Sequence, residues 1–363
     1  MAVAAPIPSP DGATLIRHDQ WHLRYLNVTS AHRLSKGAGV TVAVADTGVD
    51  PHPDLTRNLL RGRDFLSDEA GDGRDDPNSH GTGMAGIIAA HGRPNGTGAL
   101  GIAPEAKILP IRVLESDSEG DNDRLADAID YAVSSGADVV SISAGGGFST
   151  RLAQAIETAR SADVIVVAAA GNRPDDTDVI FPASADGVLA VGGVDKRGQH
   201  AAVSVEGPQL DIVAPAVDMY STSYDSLYSK GTGTSSATAI VAGAAALVRS
   251  KYPDLPASEV VHRLTATAVD KGPPGRDDQY GYGVIDLVAA LTADVPPLGF
   301  NSSPPVSTAA QSSAAQPDTG SEGSESTIRG LLTLGVLLAV GGVWAAVAWR
   351  RRHSDDPPPR ISR

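Results

Sequence analysis

The chain has 363 residues, of which 41% are hydrophobic, none is cysteine, and the formal net charge is −14. That apolar content suffices for one large packed domain with appendages, and the missing cysteine excludes disulfides, thiolate metal sites and a cysteine nucleophile. The acidity argues against a nucleic-acid partner.

Residues 1–19 read as an N-terminal extension. MAVAAPIPSPDG has no basic leader and only a short apolar run, yet Ala2-Val3-Ala4 resembles the small-residue end of a signal peptide. That predicts a start codon upstream, with the chain beginning inside the signal peptide. Over residues 20–292 short β-branched runs alternate with helical patterns. Gly39–Ala45, Lys107–Val113, Ala137–Ser143, Ala162–Ala169, Gly187–Val191 and Leu210–Val213 read as buried parallel strands. Thr82–His91, Asp123–Ser135, Arg151–Ser161, Ser236–Lys251 and Ala257–Ala268 read as helices. The alternation predicts an α/β fold with a doubly wound, mostly parallel sheet. Reactive groups in such folds gather at the carboxyl ends of the strands.

Four residues stand at element edges where chemistry is feasible. Asp46 follows the run TVAVA and precedes Thr47-Gly48, placed either to orient a partner or to hold a cation or a ribose. His80, in Ser79-His80-Gly81-Thr82-Gly83, precedes an apolar helix. A helix N-terminus disfavours imidazolium, which suits a general base; a turn or capping histidine is the other reading. Asn172 ends VVAAAGN, where its amide is either an oxyanion donor or an ordinary turn residue. Ser235 lies in GTGTSSA at the head of an Ala-rich helix. There it is either a nucleophile near a helix N-terminus or a cap, with Ser236 the alternative cap. Asp72, Asp75, Asp76 and Asn78 make an oxygen-rich stretch beside His80, read as solvated loop acids. No metal and no cofactor is expected.

Residues 293–329 are rich in Ser, Pro and Ala and read as a stalk. Residues 330–349, GLLTLGVLLAVGGVWAAVAW, carry no charge. A helix of that length spans about 30 Å, the thickness of a bilayer core. Trp344 and Trp349 sit toward one end, and Arg350, Arg351 and Arg352 follow. The positive-inside bias then predicts a single-pass protein of the cell membrane, with residues 350–363 a basic cytoplasmic tail and the body outside.

Asp, then His, then Ser at strand and helix edges is one of the chain orders of a Ser–His–Asp triad. VAVADTGVD, SHGTGMAGIIAA, VVAAAGN and GTGTSSATAIVAGAAAL, with LGIAPEAKILPIRVL and YGYGVIDLVAAL in support, resemble the motifs of the subtilisin-like serine peptidases. The resemblance implies a subtilisin-like fold and roles for named residues. Ser235 attacks the scissile carbonyl, His80 moves the proton, and Asp46 holds the imidazole. Asn172 and the Ser235 N–H stabilise the oxyanion. Ser143, Ala144 and Gly145 pair with extended substrate, and Ala168, Ala169, Ala170 and Gly171 line the pocket for the residue before the cut bond. The family usually has a larger residue at Gly83, Met at Ser236 and Pro at Ala239. The lead-in DQWHLRYLNVTSAHRLSKGAGVTVAVADTGVD, the stalk and the C-terminal apolar segment resemble the mycosins, membrane-anchored subtilases associated with type VII secretion. That implies a tethered extracytoplasmic endopeptidase acting on polypeptides and docked on a secretion complex; the rival reading is a scaffold of that complex with weak or no proteolysis.

Overall fold

The computed structural model describes residues 12–67, 71–116 and 121–299. Most of the expected stalk, the apolar segment 330–349, the tail 350–363 and residues 1–11 of the extension lie outside the described residues. Among the described residues no helix is long and apolar enough to cross a membrane.

Nine strands are described: β1 (Thr41–Asp46), β2 (Arg63–Asp64), β3 (Lys107–Arg112), β4 (Val139–Ile142), β5 (Ile165–Ala169), β6 (Val188–Val194), β7 (Ile212–Pro215), β8 (Met219–Thr222) and β9 (Tyr228–Gly231). The helices are α1 (Gly12–Asp19), α2 (Trp21–Tyr25), α3 (Val28–Ala31), α4 (His80–Ala89), α5 (Asn122–Ser134), α6 (Thr150–Ser161), α7 (Thr234–Lys251), α8 (Ala257–Ala266) and α9 (Leu287–Thr292). Seven strands form one sheet in the order β2-β3-β1-β4-β5-β6-β7, with every neighbouring pair parallel. β8 and β9 make a separate antiparallel hairpin.

The period-two alternation of a strand explains why the sheet is covered on both sides. Val42 and Val44 of β1 join the apolar cluster that contains α4 and α7, whereas Ala43 and Ala45 join the cluster under α5 and α6. Both faces are therefore apolar, so the strands read as continuous hydrophobic runs rather than alternating ones. α7 is buried from Thr234 to Val248, which marks a central helix apolar on all sides. Amphipathic α5 is capped by Asp121, whose carboxylate accepts from Asp123 N and Arg124 N, and α6 by Ser149, whose hydroxyl accepts from Leu152 N.

The N-terminal helices pack on this body. Gln20, fully buried, exchanges two hydrogen bonds with the Leu100 backbone and donates a third to Tyr220 O. Trp21 Nε1 donates to Val217 O and Asp218 O, and Arg17 holds Gly98 O and Thr97 O. His22 lies under this strap with neither ring nitrogen hydrogen-bonded to the described residues. Burial, aided by nearby Arg24, pushes its pKa down to about 3. His52, also buried, is lowered to about 4, with Asp54 opposing the shift. A histidine whose folded pKa lies below its unfolded value stabilises fully above the unfolded pKa and loses that contribution as pH falls. Lowering the pH from 7 to 5 should therefore cost about 2 kcal/mol through His22 alone. The urea midpoint of His22→Phe should fall less over this interval than that of the unaltered chain. Parallel midpoints for the two proteins would refute the assignment.

Candidate active site

Parallel strands deliver their carboxyl ends to one edge, and the register aligns them. Ala45 pairs with Ile142, and Ile142 with Ala168. The next residues, Asp46, Ser143 and Ala169, thus stand level on adjacent strands. Every sequence-predicted site residue lies at this edge or at a helix N-terminus beside it.

Asp46, the last residue of β1, is 1% exposed, and its Oδ1 lies 2.7 Å from His80 Nδ1. The same oxygen accepts the Thr47 N–H at 2.8 Å. His80 begins α4 with its side chain 13% exposed. In a neutral ring a carboxylate at Nδ1 places the proton on that nitrogen and makes Nε2 the acceptor. Gly81 is required here, because a Cβ would run into the Gly48 carbonyl. α4 thus begins at His80 itself, two residues before the expected Thr82.

The loop acid beside His80 needs a correction. Asp76 is not a solvated residue: it is 3% exposed and accepts five hydrogen bonds. Its Oδ1 takes Thr47 Oγ1 (2.8 Å), Asn78 N (3.1 Å) and Ser79 N (2.9 Å). Its Oδ2 takes Thr82 N (2.8 Å) and Thr82 Oγ1 (2.6 Å). One carboxylate therefore ties the turn after Asp46 to the first turn of α4, where the helix dipole favours negative charge. Thr47 Oγ1 also accepts the Gly81 N–H at 3.0 Å. The sequence signal was an Asp four residues before the histidine, but its partner Thr47 is 29 residues away. Asp72 and Asp75 are spent on arginines, Asp75 on Arg112 and Asp72 near Arg61 and Arg74.

Asn172 lies beyond the end of β5. Its Oδ1 accepts from Thr234 N at 2.9 Å and from Thr234 Oγ1 at 3.2 Å. Only an acceptor suits a backbone N–H, so the amide orientation is set and Nδ2 is left as a donor. The Asn172 N–H is held by Asp176 Oδ2 at 2.7 Å. The expected start of α7 at Ser236 also needs correction. The helix begins at Thr234, and its N-cap is Gly233, which offers no side chain. Neither Ser235 nor Ser236 caps it: the amide of Asn172, 62 residues upstream, takes the first N–H. Ser235 is consequently within the first turn, buried, with an Oγ that makes no hydrogen bond to the described residues.

The three departures from the family pattern sit as follows. A Cβ on Gly83 would meet only Thr222 O, at 3.5 Å. Ser236 and Ala239 are buried inside α7, the Ser236 N–H donating to Gly233 O. Beyond β4, Gly145 lies against Ile180 and Phe181 O. Ala168 and Ala170 are fully buried in the α5–α6 cluster, and Ala170 O accepts the Ile180 N–H. Among the described residues no group of three or more His, Asp or Glu is arranged to hold a metal.

Comparison with known proteins gives a concordant picture. The Subtilase family (Peptidase S8) profile matches residues 37–283. Subtilisin DY of Bacillus licheniformis is 41% identical over 260 residues, covering 70% of this chain and 92% of that protein. Mycosin-1 of Mycobacterium tuberculosis is 37% identical over 339 residues, covering 77% of this chain and 75% of that protein. Among solved structures, MycP3 protease from the type VII (ESX-3) secretion system superposes with a TM-score of 0.69 at 34% identity, covering 80% of this chain and 92% of that one. MycP1 from Mycobacterium smegmatis gives 0.69 at 30%, covering 83% and 93%. The chain belongs to the subtilase family and is a subtilisin-like serine endopeptidase.

Proposed function

We propose that this peptidase cuts polypeptides through Asp46, His80 and Ser235 while tethered outside a membrane. The observation that carries the reading is the 2.7 Å bond from buried Asp46 to His80 Nδ1 at the carboxyl edge of the sheet. His80 Nε2 takes the proton of Ser235 Oγ as that oxygen attacks the scissile carbonyl, and later passes it to the leaving amine. Asp46 keeps the tautomer and stabilises the transient imidazolium. Asn172 Nδ2 and the Ser235 N–H face the developing oxyanion, with the α7 N-terminus adding its dipole. Ser143, Ala144 and Gly145 pair with the extended substrate, and Ala168–Gly171 back the pocket for the residue before the cut bond.

The uncharged segment 330–349, followed by three arginines, supports a single membrane span with the C-terminus in the cytoplasm. Similarity to mycosin-1, and to proteases described as parts of type VII secretion systems, supports action at such a complex. A fluorophosphonate probe tests the assignment. It should label the unaltered chain and Ser236→Ala and fail on Ser235→Ala. Labelling lost in Ser236→Ala alone would move the nucleophile to the neighbouring serine. Secretion that stays normal in Ser235→Ala would favour the scaffold role.

A further inference from the structure

Beside the Ser143–Gly145 edge the structure opens a separate groove of about 720 Å³. Gly146 and Phe181 exchange two backbone hydrogen bonds, of 2.8 and 3.2 Å, so the wall of this groove continues the Ser143–Gly145 segment directly. Apolar side chains, among them Ile156, Val179, Ile180 and Phe181, line it together with Phe148. Phe148 is 73% exposed, with its ring edge-on to Phe181 at a centroid distance of 5.3 Å. An aromatic left so open beside a concavity marks a contact surface rather than core.

The rim gives the chemistry of the occupant. Asp175, Asp178 and Asp186 are exposed on it, and among the described residues no Lys, Arg or His lines the groove. Asp178 accepts the Thr177 hydroxyl at 2.9 Å, and none of the three forms an ion pair with the described residues. The two other acids are already engaged: Glu157 with Arg160, and Asp176 with the Asn172 N–H. Apolar side chains beside carboxylates that form no ion pair with the described residues complement a side chain with an alkyl stem and a cationic head.

We propose that this groove is an accessory substrate site that takes one Lys or Arg of the polypeptide, its stem on Phe148 and its charge among Asp175, Asp178 and Asp186. The proposal rests on the reading that Ser143–Gly145 pairs with extended substrate, which carries flanking residues past Gly146. Phe148 adds a cation–π contact at the head of the stem.

The test uses the full chain in detergent with Ser235→Ala, so that peptides stay intact, and fluorescein-labelled peptides read by anisotropy. Peptides of one neutral sequence carry Lys, Gln or Glu at each position in turn. At one position Lys should bind about five- to tenfold tighter than Gln, and Glu weaker than Gln. The Lys/Gln ratio should fall to about one in 1 M salt, where the Debye length is about 3 Å. It should fall likewise in a chain that also carries Asp175→Asn, Asp178→Asn and Asp186→Asn, with an unchanged melting temperature confirming its fold. Equal binding of Lys and Gln peptides at every position, or a ratio that survives the triple change, overturns the groove alone, provided the neutral peptide binds. If no peptide binds, the pairing reading fails with it.

Discussion

Ser235→Ala is expected to lower kcat by about a millionfold, His80→Ala by a similar factor, and the double variant by little more than either. The reason lies in the proposed triad. Ser235 Oγ is buried within the first turn of α7 and forms no hydrogen bond with the described residues, while His80 is held by Asp46 at 2.7 Å. In that proposal proton removal and attack form one event, so losing either partner removes the whole event. Asp46→Asn should cost about 10⁴, because an amide can present a donor to Nδ1 and trap the wrong tautomer. Single-turnover cleavage of a neutral peptide, with burst titration of active sites, measures all four. Additive losses in the double variant would show that the two residues do not act as a unit.

Asn172 offers the second large effect, and two substitutions separate its two tasks. Asn172→Ala removes the Nδ2 donor and the Oδ1 acceptor together. It should lower kcat by roughly 10²–10³ and cost about 1 kcal/mol of stability, because Thr234 N then loses its cap. Asn172→Asp retains an oxygen for Thr234 N and Oγ1 but replaces the donor by an acceptor. Its melting temperature should stay within about 2 °C of the unaltered chain, while kcat falls by roughly 10³ with little change in KM. An Asn172→Asp enzyme of near-normal kcat would remove Nδ2 from the oxyanion role.

Much of the fold was legible because of the sheet's double coverage. Strands apolar on both faces, such as VAVA at 42–45 and VVAA at 166–169, leave an unmistakable trace. The places of Asp46 at the end of β1 and of Asn172 beyond β5 were legible for a related reason, since each closes such a run within two residues of a glycine. What the sequence hid depends on distant partners. The start of α7 was placed two residues late because its cap comes from Asn172, not from the local serines. Asp76 was read as solvated because its role lies in folding back onto Thr47. α1, α2, α3 and the β8–β9 hairpin went unread because they are short and find their stability in contacts with the body.

The N-terminal strap also dictates an order of events during synthesis. Gln20 bonds to Tyr220 across 200 residues, and Trp21 to Val217 across 196. At ribosomal speeds of about 5–20 residues per second, the first helices wait on the order of ten to forty seconds for those partners to emerge. Throughout that interval Trp21 and His22 belong to an unfinished chain, open to chaperones and proteases. A chain truncated before residue 217 therefore keeps the bonds of Arg17 and Gln20 to residues 97–100 but lacks those of Gln20 to Tyr220 and of Trp21 to Val217 and Asp218.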